Sequence, residues 1–238
     1  MPLILRVDVD KPYGRSNIIN KVKSKLVEDY WFPKSDFLNY LYHVEEFIEY
    51  CNSQNVVGYF YFRNCTIPNE KVKKLLIEGN HKIGFHAEDT RNFNSFNSEL
   101  NEFKKNSNLT IDSFTKHGSG NYKLGKNHYP PYEPDVYLDW ANSIKLDLFF
   151  GNGICRNLKD LLPINGFYPY MFWIERDYRD NNFNKLSQII DYSIDNVIPI
   201  LIHPCNFNAS KIVKDDFKLL IEMARDNNIK WTNITKTY

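Results

Sequence analysis

The chain lacks any apolar run approaching the roughly 20 residues that a membrane-spanning helix needs. It also lacks an excess of either charge. Thirty basic residues face 29 acidic ones, a formal charge of +1, so no net field draws it to nucleic acid or an anionic membrane. Cysteine is scarce and scattered: Cys51, Cys65, Cys155 and Cys205 form no C-x-x-C pair. Neither a disulfide framework nor a structural zinc knot is expected, and reduced thiols in a cytosolic protein are. No short repeat, low-complexity tract or linker interrupts the 238 residues. The apolar start, Met1 to Val7, is cut by Asp8 and Asp10 before it reaches the length of a secretory leader. A cytoplasmic location is the expectation.

What is present suffices for a sizeable core. Hydrophobic residues make up 42% of the chain and charged residues 25%, which excludes a disordered or fibrous chain. Leu3 to Val7 reads as a short buried strand, and Phe37 to Cys51 has helical spacing. Val56 to Phe62 is β-branched and aromatic, a second strand; Lys71 to Glu78 is an amphipathic helix that Gly79 stops. Lys82 to Phe85 reads as a strand running into His86, Leu100 to Lys105 as helix, and Ser113 to Thr115 as a strand running into His117. Further helices are expected at Tyr137 to Ile144, Asn184 to Ser193 and Asp215 to Arg225, with strands at Leu146 to Phe150 and Val197 to Ile202. Ile229 to Asn233 is placed to close the sheet, and Gly125 to Pro134 reads as a surface loop. Such alternation implies right-handed crossovers and a parallel sheet in one α/β domain spanning 1–238.

Every candidate reactive group follows a strand. Asp8 and Asp10 follow the first, His86, Glu88 and Asp89 the third, His117 the fourth, and His203 the strand ending at Ile202. Carboxyl ends of parallel strands share one face, so these groups converge in space. Asp8 and Asp10, two apart, point to the same side of an extended segment. Two carboxylates sharing a site repel, and a bound cation is the usual remedy. The plainer alternative is a pair of turn residues, with a salt bridge to Lys11. Taken singly, a histidine is more often a structural hydrogen bonder than a metal ligand. His43, His81 and His128 read as structural.

The order of these segments carries more than their spacing. Val7-Asp8-Val9-Asp10, Glu78-Gly79-Asn80-His81-Lys82-Ile83-Gly84-Phe85-His86, Phe114-Thr115-Lys116-His117-Gly118 and Ile200-Leu201-Ile202-His203-Pro204 together resemble the motifs of the polysaccharide deacetylases, the NodB-homology group. The resemblance runs from residue 3 to about residue 225. Two positions depart from it. Thr90 stands where the family has a second metal-binding histidine, and Lys116-His117 replaces the arginine of its third motif.

The resemblance implies a distorted (β/α) barrel of about seven strands. It also implies a metal-dependent hydrolase that removes an acyl group, acetyl above all, from an amide on a sugar or polysaccharide precursor. Asp8 is then the base and His203 the acid, while Asp10 and His86 hold a divalent cation, zinc being expected. His117 is the first choice for the third ligand, ahead of Glu88 and Asp89, because imidazole suits zinc. Lys116 and Trp173 are candidate substrate contacts, although in so aromatic a chain core packing is the commoner role for a residue like Trp173. The competing expectation is a non-catalytic carbohydrate-binding relative that has lost the metal, which Thr90 favours. Oligomeric state is left open.

Overall fold

The structure, a computed structural model, describes residues 1–30, 32–118, 129, 134–147, 150–164, 167–179 and 185–233. Its organising element is β1 (Leu3–Val9), buried throughout. Leu3, Leu5, Val7 and Val9 belong to the core shared with the helices, whereas Ile4 packs in a separate cluster with Tyr59, Tyr61, Phe150, Tyr168, Met171, Trp173 and Leu201. Alternation along the strand therefore puts Ile4, Arg6 and Asp8 on the interior side, with Asp10 next in the series. β1 lies between β2 (Gly58–Phe62) and β7 (Ile198–Ile202), parallel to both. β3 (Lys82–Ala87) and β4 (Phe114–Lys116) extend the sheet on one side. β6 (Tyr168–Trp173) and β5 (Phe150–Ile154) extend it on the other, in the order β4-β3-β2-β1-β7-β6-β5.

These seven parallel strands form a nearly closed barrel. The seam between β4 and β5 is stitched below by Asp147, whose N–H donates to Asp112 O (2.6 Å) and whose carbonyl accepts from Phe114 N (3.1 Å). Above, Asn152 Nδ2 on β5 donates to Lys116 O (2.7 Å) and Gly118 O (2.8 Å). Aromatic rings fill the lower interior, and glycine makes room for them. A Cβ at Gly84 would lie 2.3 Å from the Tyr61 ring.

Helices α1 (Ile18–Asp29), α2 (Tyr42–Ser53), α3 (Glu70–Glu78), α4 (Phe93–Ser107), α5 (Pro134–Ile144), α6 (Leu186–Ser193), α7 (Pro204–Ala209) and α8 (Lys211–Asp226) are found among the described residues. Asparagine does much of the punctuation. Asn17, Asn69 and Asn92 accept from the first-turn N–H groups of α1, α3 and α4, and Asn80 and Asn108 take the left-handed conformation after α3 and α4.

Several sequence expectations need correction. Gly79 does not adopt the left-handed cap, which falls to Asn80 (φ 53°). Glycine is required at 79 because a Cβ there would sit 2.0 Å from Asn52 Oδ1. The helix expected from Phe37 starts at Tyr42, after positive-φ residues Asn39 and Leu41 break the path. β5 begins at Phe150, where the strand expected at Leu146 was to end, and β6, with Pro169 inside it, is a strand that the sequence did not signal. Residues 230–232 pair with Leu3 at the foot of β1 and close no sheet. Of the loop proposed for Gly125 to Pro134, residues 125–128 and 130–133 lie outside the described residues, and His128 with them.

Candidate active site

Because all seven strands run in parallel, their carboxyl ends open on one face. There a cavity of about 80 Å³, open to solvent, is lined by Asp8, Asp10, His86, His117, Trp173 and His203 among others. Asp10 is its centre. Its Oδ1 lies 3.3 Å from His86 Nε2 and 3.2 Å from His117 Nδ1, and these two nitrogens are 3.2 Å apart. Oδ1 is buried yet accepts no hydrogen bond of acceptable geometry among the described residues. Three donor atoms at the corners of a near-equilateral triangle suit a tetrahedral cation, since bonds of about 2.0 Å place ligand atoms about 3.3 Å apart. Thr115 Oγ1, 2.6 Å from His86 Nδ1, fixes the ring so that Nε2 offers its lone pair to the triangle.

The same geometry tests the other candidates for a third ligand. Glu88 is engaged by Arg63 Nε, and Asp89 accepts from Arg91 Nε at 2.8 Å near the surface. Thr90 is fully buried and donates to Tyr129 O. His117, one strand over, supplies the imidazole.

On the other side of β1 stands His203. Its Nε2 is 3.5 Å from Asp10 Oδ2, while Glu175 Oε1 accepts from its backbone N–H and meets its Nδ1, both at 2.9 Å. Burial alone would push this imidazole down, but Glu175 and Asp10 outweigh it and raise its pKa to about 9. His117 goes the other way: burial, then the positive charge of Arg63, hold it well below the usual imidazole range. Burial alone would push the Asp10 carboxyl up, but the imidazoles of His117 and His203 outweigh it and hold it well below the usual carboxylate range.

Asp8 departs from the expected turn-residue alternative. Lys11 pairs with Glu28 at 2.8 Å, and the cation beside Asp8 is Arg6. Arg6 grips it with Nε to Oδ1 at 2.9 Å and Nη2 to Oδ2 at 2.7 Å, and also donates to Gly151 O and Asn152 Oδ1. Asp8 Oδ2 is 3.6 Å from His86 Nε2. Lys116 is buried, its ammonium donates to His117 O, and burial pushes its pKa down to about 8. Trp173 lines the cavity but is only 8% exposed, stacked on Tyr178 at 4.8 Å and 5.6 Å from the His203 ring. That leaves little open face for a sugar. His43 is buried in α2, and His81 accepts from Gly58 N and pairs with Asn52, the structural bonding expected of it.

Arg6, Thr115, Asn152 and Glu175 escaped the sequence analysis. Arg6 carried a signal, a charge inside an aliphatic strand at the same parity as Asp8. Glu175 follows Trp173 by two, but with β6 unrecognised that parity had no meaning.

A charged imidazole, a gripped carboxylate and a cation-sized triangle meet at the mouth of the (β/α) barrel. No family model matches the chain, and no curated protein matches it either. Solved structures do, and they are CE4 family polysaccharide deacetylases and their relatives. A CE4 esterase from Streptococcus mutans is 11% identical, with 96% of this chain and 84% of that one covered at a TM-score of 0.52. A polysaccharide deacetylase from Bacillus cereus is 9% identical (98% and 92% covered, TM-score 0.48). A CE4 family pseudoenzyme from Bacillus anthracis is 9% identical (95% and 62% covered, TM-score 0.47). The chain thus spans 62% of the pseudoenzyme's length, and 64% of that of two mutants of it. At such identities the likeness is one of fold.

Proposed function

We propose that the chain is a metal-dependent hydrolase that removes an acyl group, acetyl in the first instance, from an amide on a sugar or polysaccharide precursor. The observation that carries this is the Asp10–His86–His117 triangle, with its orphaned carboxylate oxygen. We assign the cation to these three residues, with zinc the best match to two imidazoles and one carboxylate. When bound, such an ion supplies a Lewis acid for the amide carbonyl and lowers the pKa of water.

The remaining chemistry belongs to the chain. Asp8 takes the proton from the attacking water, its orientation fixed by the two-point grip of Arg6. His203, protonated at neutral pH and held through Nδ1 by Glu175, donates from Nε2 to the leaving amine. Asn152 links the Arg6–Asp8 pair to the strand that carries His117, since it accepts from Arg6 and ties down the backbone beside His117.

One observation favours the second reading, a non-catalytic carbohydrate-binding relative. Arg6 compensates the buried charge of Asp8, so Asp8 has a structural reason to exist without turnover. Metal analysis of the purified protein before and after chelation, paired with acetate release from acetylated amino-sugar oligomers, decides between them. Bound metal with chelator-sensitive release supports the hydrolase. Sugar binding without metal or release supports the alternative.

A further inference from the structure

The segment between β1 and α2 carries a run of exposed apolar side chains. On α1, Ile18 is 77% exposed, Ile19 67%, Val22 53% and Leu26 36%. At 3.6 residues per turn these four fall within about 100° of the helix circumference, the width of a stripe that a helix ordinarily buries. The body of the protein takes the opposite face, through buried Ser24 and Val27. Lys23 Nζ donates to Leu38 O (3.3 Å), which places the Asp36–Leu38 turn, with Phe37 at 93% exposure, against the same helix. An exposed apolar patch of this kind marks an interaction surface.

Charge indicates what covers it. Residues 11–29 hold five basic and two acidic side chains, in a chain whose net charge is only +1. Both acids are already paired, Glu28 with Lys11 and Asp29 with Lys25. Lys21 and Lys25 border one edge of the stripe and Lys23 the other. Arg15 and Lys21 have no acidic partner among the described residues, and Arg15 stands at the mouth of the candidate active site.

We infer that α1 and the adjoining turn dock on the surface of an anionic lipid bilayer. The apolar stripe enters the headgroup boundary and the flanking lysines meet the lipid phosphates, as amphipathic interfacial helices do. A second copy of this chain fits less well, because a two-fold contact through the stripe would set its basic margins against their own images. The inference does not depend on the proposed hydrolysis.

The test is cosedimentation of the full chain with vesicles of phosphatidylcholine alone or mixed with phosphatidylglycerol. Partition into the mixed vesicles, weakened by added salt, is expected. Ile18→Ser with Val22→Ser, and separately Lys21→Glu with Lys25→Glu, should each weaken it about tenfold or more. These side chains lie outside the core, and circular dichroism checks that the fold persists. Equal binding to both vesicle types, or none to either, overturns the inference. So does a light-scattering mass that falls from dimer to monomer in the stripe variant while lipid partition is unchanged.

Discussion

Asp10 has one oxygen toward β3 and β4 and the other toward β7, and the histidines on the two sides are held in opposite states. His117 is kept neutral by burial and by Arg63, whereas Glu175 keeps His203 charged to about pH 9. All three cavity histidines are at least nine-tenths buried, so burial cannot be what separates them. The neighbouring charge is: a guanidinium near one, a carboxylate in contact with the other. Neutral imidazoles bind cations and imidazolium donates protons. In the proposed assignment, one carboxylate thus divides a cation half of the cavity from an acid half.

The sharpest way to break this division is to remove an imidazole from each half. His86→Ala or His117→Ala should lower bound metal from about one per chain to almost none, because a structural or catalytic cation keeps at least three protein ligands. His203→Ala should leave metal content nearly intact and lower turnover by about 10²- to 10⁴-fold. Elemental analysis beside a rate assay reads both. Metal lost from His203→Ala but kept in His117→Ala would reverse the assignment of the halves.

Arg6 tests the partition between Asp8 and Asp10. Arg6→Met leaves the Asp8 carboxylate buried without its partner, and breaking a buried pair on one side costs about 3–5 kcal/mol. Urea unfolding should show that loss, and adding Asp8→Leu should restore most of it. If Arg6→Met unfolds at the wild-type midpoint, the ion pair is not what makes a buried Asp8 tolerable.

The acid half has a pH signature. The folded pKa of His203, about 9, lies above the ordinary 6.5. A group raised in this way adds stability that is fully present below about pH 6.5 and lost as pH rises through about 9. Glu175→Gln removes the largest of the raising causes, against which burial works. The stability gap between wild type and variant should therefore be widest in mild acid and close above pH 9, and the alkaline limb of the rate profile should move down. Unfolding curves across that range supply the check, and a gap that widens with pH contradicts the assignment.

Much of the acid half and the cation half was legible before any coordinates. A polar residue after an aliphatic strand is easily seen, and parallel topology then brings Asp8, Asp10, His86, His117 and His203 to one face. Their fixing contacts were less legible. Arg6 sat inside an aliphatic strand, where a single charge had no assigned partner until the barrel interior was known. Asn152 lies on β5 and Glu175 two residues past the end of β6, strands whose glycines and Pro169 argue against strand by local preference. Tertiary contact overrides that preference: a Cβ at Gly153 would lie 2.7 Å from Pro169 O, so the glycine is there for strand packing. Thr115 was read as part of a strand, but its contact with His86 depends on a register, Thr115 opposite His86, that only the assembled sheet defines.

That contact gives the smallest of the expected effects and the finest test of the cation half. Thr115 Oγ1 sits 2.6 Å from His86 Nδ1. If Nδ1–H donates to it, Nε2 is the unprotonated nitrogen facing Asp10 and His117, and the ring cannot swing. Thr115→Val keeps the shape and removes the acceptor. The buried N–H loses its partner, and the alternative tautomer, with its proton aimed at the cation position, becomes comparable in energy. Removing such an outer partner costs about 10- to 100-fold in metal affinity, far less than deleting a ligand. Competition titration with a chromophoric chelator should resolve that loss, while Thr115→Ser retains near-wild-type affinity through the same hydroxyl. A Thr115→Val protein that binds metal as tightly as wild type would mean that packing alone orients His86, and the tautomer argument would fall with it.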